Sequence, residues 1–425
     1  MTNDPASESA APGLAPILPL SGVRVTDFSW IVAGPSATRI LADFGAEVIR
    51  VEHGQALDAI RMAPPHVGGP PNGNNSGTFN YFNRNKKSIQ LNVHHPMGMA
   101  VLRKLIAASD IVLENFSSRV LESWGLAYED LRAINERVIY CAVSGFGHSG
   151  RDRDHSTWGP TAQAMSGLTA MSGLPGLPPA GWGFSYLDHT AGYYAAIAVL
   201  AALRHRNQTG EGQFIDVSQV ETGMALAGPA IIDFTVNGRR WRRDGMPPGN
   251  RSSMLSAYPH NTYKCSGDDR WVAITVLTDA HWRALVRAMG EPAWALQERF
   301  ATTDGRCSNA DEIDTPLNAW TGSRQDYEVM RILQAAGVPC GVCQKPGDKF
   351  ESDPQLRARG FWREVSHPEF GPGIVDGFTP LLSRSPGSAR TAAPMLGADT
   401  YDVMRDIVGL SDEEFTEHQE AGVFM

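Results

Sequence analysis

The sequence predicts an α/β protein: a large Rossmann-like domain on a mostly parallel sheet, with a smaller α/β unit beside it. Three observations carry that prediction. Strand-like and helix-like segments alternate from Gly22 to Val143. The composition, 42% hydrophobic and 20% charged, is that of an ordinary globular chain. A basic, Pro/Gly-rich stretch from Gly238 to Ser256 marks a connection to a second unit. Alternation of this kind lays parallel strands side by side and puts helices on the sheet faces.

The elements follow in order. Val23–Phe28 reads as a strand, Pro35–Phe44 as a helix stopped by Gly45, and Ala46–Val51 as a second strand ending at Glu52. That is a βαβ unit. Ser88–Val93, Ile111–Phe116 and Val138–Val143 are further strands, and Pro96–Ala108 and Tyr128–Asn135 further helices. From Ser144 to Ser185 the chain is rich in Gly, Ser and Pro, with one helix near Thr161–Ala170. Loops this long are usually functional. Asp188-His189-Thr190 opens an apolar helix ending at Arg204-His205-Arg206, where basic residues suit the helix dipole. Gln213–Val217 is a strand, and Ser218 with Glu221 fits a capping box. The expected organisation is a tail over 1–19, the large domain over 20–237, linker and small domain over 238–340, and a return to the large domain over 341–425.

Composition excludes several function classes. Among 425 residues, 46 Asp and Glu against 37 Lys and Arg leave a net charge of −9, which disfavours a general nucleic-acid binder. Five cysteines do not make a disulfide scaffold. The longest nearly apolar run, Ala191–Leu203, falls short of the ~20 residues a membrane span needs. The N-terminal stretch lacks the basic start and apolar run of a signal peptide. These features predict a cytoplasmic enzyme that uses neither membrane nor nucleic acid.

Most local motifs fail their own chemistry. A dinucleotide site needs several glycines between strand and helix, with Glu52 as the ribose acid. Here the turn Ser29–Pro35 has one glycine and carries the bulky Trp30, Ile31 and Val32. Cys340-Gly341-Val342-Cys343 sits too late in the chain for a thioredoxin-like motif and has no second cysteine pair for zinc. No His-Glu-x-x-His and no Gly-x-Ser-x-Gly occurs. Asp188 stands out, because it joins a Gly-rich loop to an apolar helix. Orphan helix N–H groups and the positive dipole end favour its ionised form there. An ionised, partly desolvated carboxylate can act as a nucleophile. Helix capping is the competing role.

Several stretches taken together resemble the class III CoA-transferases, the formyl-CoA transferase and carnitine CoA-transferase family. They are Leu20–Phe28 with Ala33-Gly34-Pro35, Leu41–Glu52, Asn83–Ile89, Glu114-Asn115-Phe116, Ala162–Gly167, Asp188 with its helix and Thr209–Gln213, Gly337–Gly341, and Ala393–Gly397. The resemblance runs from about Leu20 to the C-terminus. It implies a parallel sheet built from both chain ends, a small domain between, and an interlocked homodimer. It places the catalytic aspartate at Asp188. It also implies coenzyme A contacts near Ile31, Val32, His53, Leu91, Asn115, Phe116 and Ser117. His53 and Ser123 stand where the family often has arginine, so Arg119, Lys87 or Lys86 are candidates to meet the phosphates. No metal and no permanently bound cofactor is implied; a CoA thioester is the substrate and a free carboxylic acid the acceptor.

The tract Asp27-Phe28-Ser29-Trp30 and Trp124-Gly125-Leu126 look like the succinyl-CoA-dependent branch, which includes the benzylsuccinate and mesaconate or itaconate transferases. Succinyl-CoA and a dicarboxylic acid are therefore the expected partners. Trp30, Trp158 and Tyr186, with Trp182 and Phe184, are acyl-pocket candidates. Arg251, with Arg151 and Arg153, is a candidate for a distal carboxylate, which arginine pairs bidentately. Two other readings remain. The α-methylacyl-CoA racemases share the fold but use a His-Asp pair where this chain has Thr157-Trp158-Gly159, leaving His155 and His189 as the nearest histidines. A non-catalytic acyl-CoA binding protein is the third.

Overall fold

The computed structural model describes residues 18–251 and 256–425. The N-terminal tail expected over 1–19 falls almost wholly outside them. Six strands, β1 (Arg24–Asp27), β2 (Glu47–Glu52), β3 (Lys86–Gln90), β4 (Ile111–Glu114), β5 (Ile139–Ser144) and β6 (Gln213–Ser218), make one sheet in the order β3-β2-β1-β4-β5-β6. Every neighbouring pair is parallel. Successive residues of a strand face opposite sides. Ile111 and Leu113 therefore join one buried cluster, with Leu41, Val143 and Val199, while Val112 joins another, with Leu102, Leu105 and Met404.

The sheet departs from the expectation of strands from both chain ends, since all six lie between Arg24 and Ser218. The C-terminal residues meet it differently. Asp399 N–H donates to the Ser88 carbonyl at 2.9 Å, and its Oδ2 accepts from Ser88 N–H at 2.8 Å. Thr400 Oγ1 accepts from Gln90 N–H at 3.0 Å. These bonds satisfy the outer edge of β3, where another strand would have paired.

The chain divides into two compact units. The first takes residues up to Leu168, Trp182–Gly228 and Arg357–Met425. The second takes Thr169–Gly181 and Pro229–Leu356. It is built on an antiparallel sheet of β7 (His260–Lys264), β8 (Trp271–Thr275) and β9 (Cys340–Val342). Because β9 pairs with β8, the chain returns to the first unit at Arg357, later than the boundary at 341. Tyr263, Ile274, Leu285, Ile313 and Leu333 fill its core. In the first unit a hairpin follows, β10 (Trp362–His367) with β11 (Gly371–Asp376).

One helix positions the site. It spans Tyr186–Thr209 and stops at Gly210, whose φ of 85° suits a left-handed cap. It packs on the helix Ala33–Asp43. Gly192 makes this close: a Cβ there would lie 2.7 Å from the Ala33 carbonyl oxygen. Among the described residues no helix is long and apolar enough to cross a membrane.

Candidate active site

In an open parallel sheet, ligands bind beyond the carboxyl ends of the strands, where the strand order reverses. Here that reversal falls between β1 and β4. A pocket of about 320 Å³ opens at this place. Its walls come from the turn after β1 (Trp30–Ala33), the turn after β4 (Asn115–Ser117), the end of β5 (Ser144, Gly145) and the segment His155–Gly159. Asp188 and Gln219 complete it.

The first turn is held under backbone strain. Ile31 has a φ of 65°, a conformation that costs a β-branched residue on the order of 1–3 kcal/mol. Three side chains sustain it. Asn115 Oδ1 accepts from Trp30 N–H at 2.7 Å, and its Nδ2 donates to the Trp30 carbonyl at 3.0 Å. Asp58 accepts from Ile31 N–H through both oxygens, at 3.0 and 3.2 Å. Arg50, wholly buried, donates to Asp58 at 2.6 Å and to the Ser29 carbonyl at 2.5 Å.

Asp188 is 8% exposed. It sits in the first turn of its helix, with Ser185 at the N-cap, so it does not cap as the sequence reading allowed. Burial raises its carboxyl above the ordinary range; hydrogen bonds from Gln219 and Ser185 oppose that rise. Desolvation outweighs those two hydrogen bonds, whereas the sequence reading expected the helix end to favour the ionised form. Gln219 Nε2 donates to Asp188 Oδ1 at 2.5 Å. Gln219 Oε1 in turn accepts from Thr157 Oγ1 at 3.4 Å. On the other side, a Cβ on Gly159 would lie 2.7 Å from Oδ2.

A second pocket, of about 280 Å³, shares Trp30, Phe116 and Val120 with the first. It is almost wholly apolar, lined by Phe28, His53, Leu91, His94 and Trp124 among others. The Trp30 and Phe116 rings meet edge to face at 5.8 Å between the two pockets.

The structure thus brings Trp30, Ile31, Val32, Asn115, Phe116, Ser117, Trp158 and Asp188 around the first pocket, and His53 and Leu91 around the second. It does not bring the rest there. Lys87 pairs with Glu47 at 2.7 Å, and Arg119 pairs with Asp154 at 2.7 Å. Tyr186 meets Trp182 edge to face at 4.7 Å, and Phe184 stacks on His189. Arg251 lies in the second unit, ion-paired with Asp311 and Asp314. Arg151 and Arg153 lie beside Asp152 and Asp154. Lys86 is buried against Asp27, Thr38 and Asn83 and cannot meet a phosphate. Glu52 is committed too. Burial alone would raise its carboxyl, but Arg50 and Arg61 hold it down to about 2.

Three residues escaped the sequence reading. Gln219 read only as part of a cap, Gly159 only as part of the place where a racemase has its His-Asp pair, and Glu114 as part of a motif. Glu114 lies under the pocket, where burial pushes its carboxyl up to about 8. It accepts from Phe116 N–H at 2.5 Å and Tyr140 Oη at 3.1 Å, and His148 Nε2 lies 3.3 Å away. Burial holds the His148 imidazole below its usual range.

The model of CoA-transferase family III matches residues 20–400. The succinyl-CoA–L-malate CoA-transferase alpha subunit of Chloroflexus aurantiacus is 35% identical over 400 residues, covering 93% of this chain and 90% of that one. The succinate–glutarate CoA-transferase of Agrobacterium fabrum is 32% identical over 395 residues, covering 92% and 96%. Among solved structures, a CAIB/BAIF family protein from Brucella suis aligns with a TM-score of 0.82 at 29% identity, over 92% of this chain and 99% of that one. A family match across most of the chain, on a fold whose switch-point pocket holds a buried aspartate, makes this protein a member of CoA-transferase family III.

Proposed function

We propose that this enzyme moves coenzyme A from succinyl-CoA to a dicarboxylic acid, with Asp188 as the covalent relay. One observation carries the reading: a buried carboxylate lines a pocket that shares Trp30, Phe116 and Val120 with a neighbouring apolar pocket. The apolar pocket suits the adenine and pantetheine of coenzyme A. The first suits the acyl group.

Asp188 attacks the donor thioester, giving a mixed anhydride and CoA thiolate. The thiolate attacks the aspartyl carbon, giving an aspartyl-CoA thioester and the free donor acid. The acceptor carboxylate attacks that thioester, and the released thiolate then takes the acceptor's acyl group. Splitting one exchange into such steps is the gain of covalent catalysis. Burial of the site limits hydrolysis of the activated acyl groups.

Succinyl-CoA is favoured because the Chloroflexus and Agrobacterium relatives carry succinyl or succinate in their names. Among the described residues, no Lys or Arg lines the first pocket. A distal carboxylate there meets Ser117, Ser156 and His155. His155 is also why α-proton exchange belongs in the test as a control for racemase chemistry.

A homodimer is the expected assembly. Tyr193, Tyr194, Ile197 and Leu200 leave an exposed apolar stripe on the helix Tyr186–Thr209, the kind of surface that marks a protein interface.

The test is mass spectrometry after incubation with succinyl-CoA and hydroxylamine, beside Asp188→Ala. A hydroxamate confined to the Asp188 peptide is the expected result. Its absence, together with α-proton exchange in deuterated water, would replace transfer by racemisation.

A further inference from the structure

The two oxygens of Asp188 are not equivalent. Oδ1 receives the Gln219 amide at 2.5 Å, whereas Oδ2 lies against Gly159, where any Cβ would intrude to 2.7 Å. The amide cannot easily turn over. The Asp188 carboxylate can only accept, so it takes Nε2, and Oε1 is left to accept from the Thr157 hydroxyl at 3.4 Å. Gln219 is 7% exposed, so water competes little for that bond. The contact joins residues 31 apart in sequence, the second and last of the pair at the start of its own helix, Gln219–Leu226.

We propose that Gln219 is a catalytic residue: its side-chain N–H is the oxyanion donor for the aspartyl carbonyl. The proposal rests on Asp188 being the nucleophile. Oδ2, which Gln219 does not hold, attacks the donor thioester and becomes the bridging oxygen of the anhydride. The C–S bond breaks and its electron pair leaves with the CoA thiolate. In that first step charge develops on the donor's carbonyl oxygen rather than on Oδ1.

Charge moves to Oδ1 in the next two steps. The thiolate attacks Cγ of Asp188, the C=O π pair shifts onto Oδ1, and collapse expels the donor carboxylate with the bridging oxygen. The acceptor carboxylate then attacks the same carbon. Oδ1 again takes the negative charge, and collapse expels CoA thiolate. Oδ1 is thus the oxygen Asp188 keeps throughout, and it already has a buried, oriented donor. A preorganised donor of this kind contributes about 10²–10³ in rate.

The experiment is rapid-quench mass spectrometry of the intact enzyme with succinyl-CoA, with and without hydroxylamine. It compares the natural enzyme with Gln219→Leu, Thr157→Val and Asp188→Ala. For Gln219→Leu, the CoA adduct should form about 10²–10³ times more slowly, with KM for succinyl-CoA unchanged within about threefold. Hydroxylamine-reactive protein without CoA mass should then run ahead of the adduct. Thr157→Val should slow the same step by about tenfold, and it serves alone if Gln219→Leu does not fold. Adduct formation at the natural rate in these variants overturns the proposal, as does a loss confined to KM. Absence of any Asp188 adduct in the natural enzyme overturns the nucleophile reading itself, and the Gln219 proposal with it.

Discussion

Asn115 grips Trp30 by both backbone polar atoms, accepting its N–H at 2.7 Å and donating to its carbonyl at 3.0 Å. A side chain from the end of β4 thereby fixes the turn after β1, at the place where the sheet order reverses. Removing it breaks two hydrogen bonds at about 1 kcal/mol each and frees the turn that carries strained Ile31. Asn115→Ala should raise KM for the acyl-CoA donor about tenfold, with kcat within a few-fold of the natural enzyme. Steady-state kinetics decide it; an unchanged KM contradicts the role.

Gly159 keeps the open face of Asp188 clear. A methyl group there meets Oδ2 at 2.7 Å and the Ser185 side chain at 2.8 Å. Gly159→Ala should lower kcat by about 10²-fold, because small misplacements of reacting groups cost that much. CoA affinity, measured by calorimetry, should stay the same. A natural kcat in this variant would remove Gly159 from the site.

The pH profile follows from the burial of Asp188. Attack needs the carboxylate, and burial raises the carboxyl above its ordinary value of 3.8. kcat/KM for the donor should therefore fall as pH drops, along an acid limb whose midpoint lies above 3.8. Gln219→Leu removes a bond that favours the ionised form, so it should move that limb to higher pH. A limb that stays in place, or moves to lower pH, contradicts this account.

Glu114 gives a stability prediction of definite sign. Burial pushes its folded carboxyl up to about 8, from an ordinary value of 4.5. Between those values the unfolded chain has released the proton while the folded one still holds it, so this group's contribution falls as pH rises. Glu114→Gln keeps the shape and cannot ionise. It should raise Tm by about 2–4 °C at pH 9 and change it less at pH 5, by differential scanning calorimetry. An equal effect at both values would assign the change to packing.

Much of the sheet was legible from the residues. Runs such as Ile111–Leu113 and Ile139–Val143 are continuously apolar because both faces are covered, and helical spacing separates them. The strand order was not legible, since periodicity does not say which strands are neighbours. Asp188 was legible through its setting at a loop–helix join and through the family resemblance. Gln219 was not, because its contact with Asp188 is tertiary while its local pattern looks like capping. The basic residues misled in a similar way. Lys86 read as a candidate for the CoA phosphates, but Asp27 draws it into the interior, as Glu52 and Asp58 do Arg50 and Arg61.

The closure of β3 by Asp399 and Thr400 bears on how the protein is made. The residues that cap this edge are synthesised 311 and 310 positions after their partners, Ser88 and Gln90. At about 5–20 residues per second, the ribosome leaves that edge bare for roughly 15–60 seconds. An unpaired strand edge is a template for pairing with another chain. On a polysome, neighbouring nascent chains present the same open edge together, and the danger ends for each only when its last helices emerge.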